Sequence, residues 1–195
     1  MKCRVCREPA VIDVRRHYYP SGHPFSRLVV LVSEELGLES EEVARIHYAS
    51  ILRDVGMARV PEGAYKKPAA LTEEDRRMIE RHPEEGARVL RSIEFLPDIF
   101  DIILAHHEEP GGTGYPRGLA ASGIPRGAKI LAVCDAYHAL RTGRPYRAAM
   151  TRDAALAEIH RNEGRQFDPE VVEALVRALA REDERTGATR EGEGV

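Results

Sequence analysis

Apolar residues recur at helical spacing in one segment after another of this chain. Residues 24–36, for example, carry Leu28, Val29 and Val32 before a stop at Gly37. Only residues 10–15 alternate in the manner of a β-strand, so the pattern predicts an all-α fold. The expected helices cover 24–36, 40–56, 72–80, a segment from 83, a segment from 97, 125–142, 151–161 and 169–182, with loops at 58–71 and 109–124.

Several helix starts are marked by residues suited to them. Ser40 is followed by two glutamates, which favour the N-terminal end of a helix dipole, and is predicted as an N-cap. Thr72 and Asp75 have the spacing of a capping box, with aspartate in place of the usual glutamate. Pro83 and Pro125 suit a first helical turn, where the missing N–H costs nothing.

Length and charge exclude several classes of protein. A chain of 195 residues fits one domain with a core, and its net charge of −3 gives no basic surface for DNA. The longest apolar runs, 28–32 and 130–134, are far shorter than the ~18 residues of a membrane span. The first residues contain no apolar signal-peptide core, and the three cysteines suit a reducing compartment. We therefore expect a cytoplasmic protein without a membrane segment.

Composition divides the chain into three parts. Residues 1–16 form a short N-terminal appendage, residues 17–182 a helical domain, and residues 183–195 a charged, glycine-rich tail expected to be frayed.

Histidines and aspartates are scattered along the predicted helices and at their ends. A single histidine on an apolar helix is usually a hydrogen-bonded core residue, but several on one scaffold favour a metal site. Imidazole and carboxylate together suit iron, manganese or zinc, and two such ions can share an aspartate in a site for phosphoryl chemistry. The candidate ligands are His23, Asp54, His82, His106, His107 and Asp135.

An ordered set of short motifs resembles the HD-GYP family, a branch of the HD metal-dependent phosphohydrolases. The resemblance covers roughly residues 17–178. The matching segments are Tyr19 to His23, Arg53 to Met57, Lys67 to Thr72, Arg81 to Gly86, His106 to Leu119 (which contains Gly114-Tyr115-Pro116), Ile130 to Tyr137, Arg144 to Arg147 and Gln166 to Pro169.

The resemblance implies a helical bundle of the HD-domain type that hydrolyses cyclic di-GMP. It implies one ion held by His82, His106, His107 and a shared Asp54, and a second held by His23, Asp135, Asp54 and the first residue of the HD pair. Asp54 and Asp135 would be catalytic. The nucleotide pocket would be lined by Gly114, Tyr115, Pro116, Arg144 and Arg147, and the glycine-tyrosine-proline loop could also contact diguanylate cyclases.

Four positions depart from the family pattern. Arg53 stands where the HD pair has a histidine, Met57 where it ends in lysine, and Gly111 and His17 where acids are common. An arginine cannot ligate a metal, because its guanidinium stays protonated and has only donors. Either Arg53 replaces the second metal electrostatically by pairing with Asp54 and Asp135, or it points into solvent.

The N-terminal pair Cys3 and Cys6 is half of a zinc-binding pattern. With His17 and His23 the spacing approaches a zinc finger, although His23 fits the helical site better. The pair could instead bind zinc across a homodimer, act as a thiol pair or be vestigial.

Three functions stay open on the sequence. The leading one is an impaired or inactive phosphodiesterase that keeps nucleotide or protein binding, because losing one ligand or electrostatic stabiliser can cost about 10²–10³ in rate. The alternatives are an active cyclic di-GMP phosphodiesterase with one or two metals and a single-metal phosphohydrolase acting on other nucleotides.

Overall fold

A computed structural model of the chain describes residues 24–65, 70–91, 99–142 and 148–187. Within these ranges the protein is helical, and the only β-contacts are the isolated bridges Gly111–Ala120 and Glu163–Phe167. The α-helices are α1 (Pro24–Glu35), α2 (Ser40–Leu52), α3 (Glu62–Tyr65), α4 (Glu73–Ile79), α5 (His82–Leu90), α6 (Phe100–Leu104), α7 (Arg126–Thr142), α8 (Arg152–His160) and α9 (Pro169–Thr186). The segments Val55–Arg59 and Ala121–Gly123 are 3₁₀-helices. The all-α prediction is confirmed.

Helix α7 lies at the centre of the bundle. It contacts α1, α2, α6, α8 and α9, and Ile130, Leu131 and Val133 on it are fully buried. Val29 of α1 and Leu175 of α9 complete this apolar core with the same degree of burial. Helix α7 also carries Asp135, one of the candidate metal ligands, at the edge of that core, where its side chain is partly exposed.

The predicted helix ends are partly right. Thr72 and Asp75 form the capping box: the threonine oxygen accepts from the Asp75 N–H and the aspartate accepts from the Thr72 N–H at 2.7 Å. Ser40 is not an N-cap, because Glu39 takes that extended position and its carbonyl already accepts the Val43 N–H. Ser40 is instead the first helical residue.

Three predicted boundaries are wrong for local reasons. The helix predicted over 40–56 ends at Leu52, and a turn and a 3₁₀-helix follow, which apolar spacing cannot distinguish from a further α-turn. The loop predicted over 58–71 contains helix α3, begun by a bond from the Ala64 N–H to the Pro61 carbonyl. Helix α9 continues four residues beyond the predicted end at 182 and stops at Gly187, whose φ of 66° is left-handed.

No helix of the described ranges is long and apolar enough to cross a membrane. The predicted strand-like stretch 10–15 and the start of the helix predicted from 97 lie outside the described residues.

Candidate metal centre

Three histidines from two parts of the fold form one cluster. His82 opens α5, and His106 and His107 lie in the turn that follows α6. Their ring centroids are 5.2 Å (82 to 106), 5.0 Å (82 to 107) and 4.0 Å (106 to 107) apart. One nitrogen from each ring lies within 4.8 Å of the others, so the cluster can hold a metal ion.

Backbone carbonyls fix the orientation of two of these rings. The Nδ1 of His82 is 2.8 Å from the Ile79 carbonyl and that of His106 is 2.6 Å from the Ile103 carbonyl. A carbonyl only accepts, so each Nδ1 carries a proton, and in the neutral tautomer that this selects the Nε2 lone pair of each ring faces inward. The two Nε2 atoms are 3.3 Å apart.

That separation fits a shared cation. Two unprotonated nitrogens facing each other repel, whereas nitrogens bound to one ion at about 2.1 Å lie roughly 3.0–3.4 Å apart for bond angles near 90–110°. The donor set therefore agrees with a divalent transition ion.

Burial keeps two of the rings neutral. It lowers the pKa of His106 to about 4, with a further lowering from His82, and it lowers the pKa of His107 to about 2, aided by His106 and His82. A neutral imidazole is the form that binds metal, so at neutral pH neither ring has to lose a proton first.

Asp54 supplies a carboxylate beside the cluster. Its Oδ1 is 3.7 Å from the His82 Nε2, and about half of its side chain is exposed. The 3₁₀-helix that follows packs directly on α5: a β-carbon at Gly56 would lie 2.0 Å from the His82 carbonyl oxygen and 2.5 Å from the Gly86 nitrogen. Only glycine permits this backbone contact, which sets the spacing between Asp54 and His82.

The guanidinium of Arg53 lies between the two aspartates and does not point into solvent. Its Nη2 is 3.1 Å from the Asp135 Oδ1 and 3.2 Å from the Asp54 Oδ2. Its Nη1 donates to the Ser50 carbonyl at 2.7 Å, and its carbon is 3.8 Å from the centre of the Phe25 ring. Only 18% of the side chain is exposed. A fixed positive charge therefore lies against one oxygen of Asp54, while His82 faces the other.

The loop after the histidines folds back over them. The Tyr115 N–H donates to the His107 carbonyl at 3.1 Å, and its ring stacks on the His107 ring with centroids 4.8 Å apart and planes inclined by 25°. Gly114 is required for this approach, because a β-carbon there would lie 2.4 Å from the Glu109 nitrogen and 2.5 Å from the His107 oxygen. The peptide bond between Tyr115 and Pro116 is cis.

The structure brings together five of the predicted site residues with Arg53: Asp54, His82, His106, His107 and Asp135. Tyr115 lies beside this group, stacked on His107, with Gly114 and Pro116 next to it in the loop. The remaining candidates (His17, His23, Cys3, Cys6, Arg144 and Arg147) lie outside the described residues. Met57 lies in the 3₁₀-helix, and Gly111 donates its N–H to the Arg165 carbonyl at 2.8 Å.

Sequence reasoning gave no role to three residues that shape the site. Phe25 and Ser50 hold the guanidinium, and the buried Glu108 holds the loop that carries Tyr115. The only signal for Glu108 was its place directly after the histidine pair. Nothing in the sequence linked Phe25 to a position 28 residues further on.

Comparisons with known proteins agree with this geometry. The sequence profile described as "HD domain" matches residues 6–171. The "Cyclic di-GMP phosphodiesterase response regulator RpfG" of Xanthomonas campestris is 43% identical over 157 residues, which are 80% of this chain and 42% of that protein. The "3'3'-cGAMP-specific phosphodiesterase 3" of Vibrio cholerae is 31% identical over 92% of this chain and 39% of its own.

A solved structure supports the fold. Bd1817, an HDG"Y"P protein from Bdellovibrio bacteriovorus, superimposes with a TM-score of 0.65 at 21% identity, over 80% of this chain and 50% of its own. At that identity the likeness shows the fold alone. The chain spans about two fifths of the length of the curated relatives it matches.

Proposed function

Because the chain belongs to the HD-domain family, in agreement with its HD-GYP resemblance, we propose that it acts in cyclic-dinucleotide signalling with an impaired hydrolytic site. The domain binds a cyclic dinucleotide, with cyclic di-GMP the leading ligand, and turns it over slowly or not at all. The names of the relatives support this ligand class, since they include phosphodiesterases for cyclic di-GMP and for 3'3'-cGAMP.

The observation that carries the proposal is the position of the Arg53 guanidinium. It pairs with Asp54 and Asp135, the two carboxylates that would share the second ion with His23. A guanidinium supplies positive charge but cannot ligate or polarise an oxygen as a metal does. One of the two positive charges of the second ion is thus kept, while the chemistry that this ion would supply is lost.

The other half of the site fits a single ion. His82, His106, His107 and Asp54 would hold it, and when bound it would act as a Lewis acid on a phosphoryl oxygen. The carbonyls of Ile79 and Ile103 hold two of the rings in the required tautomer. Arg53 holds the Asp54 oxygen that does not face His82, and the phenol ring of Tyr115 stacks on His107.

Met57 removes another electrostatic contribution. A thioether has no proton to donate and no charge, so it cannot act on a phosphate as lysine does. The loss of one metal ligand or one such stabiliser typically lowers the rate by ~10²–10³. This site lacks both, so we expect a larger reduction in rate.

The test separates binding from turnover. Protein loaded with Mn²⁺ or Fe²⁺ is incubated with cyclic di-GMP and, in parallel, with 3'3'-cGAMP, and products and binding are measured separately. The double variant Arg53→His with Met57→Lys is compared with the wild type, and Arg88→His on the exposed surface of α5 serves as control. Binding without turnover in the wild type, with turnover gained by the double variant, supports the proposal. Full turnover by the wild type contradicts it.

A single-metal phosphohydrolase is the second candidate, favoured by the intact group of three histidines. It predicts hydrolysis of simple phosphoesters such as p-nitrophenyl phosphate that disappears in His82→Ala and persists in the control variant Arg88→Ala.

Other predictions from the sequence are still to be tested. They are a separate zinc ion at Cys3 and Cys6, phosphate contacts from Arg144 and Arg147, a homodimer, a diguanylate cyclase partner and a cytoplasmic location. Zinc content of a Cys3→Ser variant tests the first of these directly.

A further inference from the structure

Glu108 is a buried carboxylate that holds the loop over the metal centre. It follows His106 and His107 directly and is 2% exposed. One of its oxygens accepts the Arg117 N–H at 2.7 Å and the other accepts the Leu119 N–H at 2.8 Å. Both hydrogen bonds reach across the loop, to residues nine and eleven positions further along the chain.

The same loop is tied to the histidines at its tip. Tyr115 donates its N–H to the His107 carbonyl and stacks its ring on the His107 ring. The loop is therefore attached at two points. Its tip is bound to His107, and its returning segment is bound to the next residue in the chain, Glu108.

We propose that Glu108 is a positioning residue, which places Tyr115 against His107 and so forms the wall of the nucleotide site above the bound ion. This inference rests on the proposed function for the identity of the ligand, and on the structure alone for the position of the loop. Glu108 does not touch the reacting atoms; it acts through the amides of Arg117 and Leu119.

A carboxylate suits this task better than other side chains. Its two oxygens satisfy two separate N–H groups, and a hydrogen bond to a charged acceptor is stronger than a neutral one. A glutamine of the same shape keeps one acceptor but turns an N–H₂ group toward a second N–H donor. An alanine leaves both amides without this acceptor in a part-buried position. The loop should loosen progressively from glutamate to glutamine to alanine.

The chain offers a matched control in Glu35, a second buried carboxylate. It is 5% exposed at the side chain, accepts from Arg177 at 2.8 Å and forms an ion pair with Arg181 at 2.7 Å, which joins α1 to α9. The change Glu35→Gln therefore also removes a buried charge with two partners. It does so without contacting the loop.

The experiment compares Glu108→Gln, Glu108→Ala and Glu35→Gln by three measurements. Hydrogen exchange reports on the amides of residues 112–119. The ring-proton shifts of His107 report its stacking on Tyr115, with Tyr115→Leu as the reference for lost stacking. Titration with cyclic di-GMP in the presence of Mn²⁺ gives the dissociation constant, and the Mn²⁺ content is measured on the same samples.

We expect faster exchange in 112–119, a His107 shift toward that of Tyr115→Leu, and a dissociation constant raised about tenfold by glutamine and more by alanine. Mn²⁺ content stays at the wild-type value, and Glu35→Gln changes none of these. Wild-type exchange and shifts in Glu108→Gln, or the same changes in Glu35→Gln, overturn the inference. A wild type that binds no cyclic di-GMP refutes the proposed ligand instead, and exchange and ring shifts then decide the role of Glu108.

Discussion

Removing the Arg53 guanidinium should increase the affinity of the site for a second divalent ion. The change is Arg53→Ala, which frees the Asp54 and Asp135 carboxylates that now lie 3.2 and 3.1 Å from Nη2. In the wild type an ion near these carboxylates would have to approach a fixed positive charge.

The size of the effect follows from the geometry. The Asp54 and Asp135 side chains are 52% and 36% exposed, so a dielectric close to that of water applies. A unit charge and a divalent ion roughly 4 Å apart then repel by about 2 kcal/mol, and a drier site would give more. Removing that repulsion tightens the dissociation constant of the second ion by about 30-fold at least.

The substitution also has a cost for the metal-free protein. It removes the contact with the Phe25 ring and the hydrogen bond to the Ser50 carbonyl, so the free energy of unfolding should fall by about 1–3 kcal/mol. Ions should restore it, because an ion at 100 times its dissociation constant adds about 2.7 kcal/mol.

The assay is titration calorimetry with Mn²⁺, with urea unfolding at several ion concentrations. Arg53→Lys serves as control, since it keeps the charge and loses the planar fork. We expect one tight ion in the wild type and in Arg53→Lys, and a second in Arg53→Ala. Two tightly bound ions in the wild type, or unchanged binding in Arg53→Ala, would refute the reasoning.

Three further predictions concern single residues. The pKa of His106 is about 4 in the folded protein and about 6.5 when unfolded, so the unfolded state binds more protons between these values. The metal-free protein should therefore lose about 3 kcal/mol of stability from His106 as pH falls from 6.5 to 4, and His107, whose pKa is lowered further, adds to that loss. Urea unfolding that is flat over this window would contradict the prediction. Gly114→Ala should destabilise the protein by about 1–3 kcal/mol, because its β-carbon would meet backbone atoms at 2.4–2.5 Å, and an unchanged melting temperature would count against that contact. Cys134 is fully buried and its thiol pKa is raised by that burial, so mass spectrometry after alkylation should find it unmodified until the protein unfolds; labelling of the native protein would show an open core.

The sequence alone was sufficient to predict those parts of the structure that depend on residues close together in the chain. Thr72 and Asp75 lie three residues apart, so their capping box could be predicted from the chain alone, and so could the long central helix with its apolar stripe. The sequence was insufficient to predict where an α-helix gives way to a 3₁₀-helix. Apolar spacing continues through Val55, but the chain leaves the α-helix at Arg53, because Gly56 must approach the backbone of His82.

The candidate site shows the same division between local and distant information. The histidines could be identified from their motifs, and both alternatives for Arg53 could be stated. Choosing between them required the position of Asp135, which is 82 residues away on α7, and of Phe25 on α1. Such contacts depend on how helices pack, and short motifs do not encode that packing.

The backbone contact at Gly56 bears on how far the site can move when an ion binds. No side chain separates the 3₁₀-helix from α5 there, so the backbones of Asp54 and His82 cannot move apart without parting two elements of the bundle. The Asp54 side chain is half exposed and can still turn about its own bonds, so an ion would be met by side-chain rotation on a fixed backbone. A glycine that touches no ion thus limits how much of the site has to rearrange.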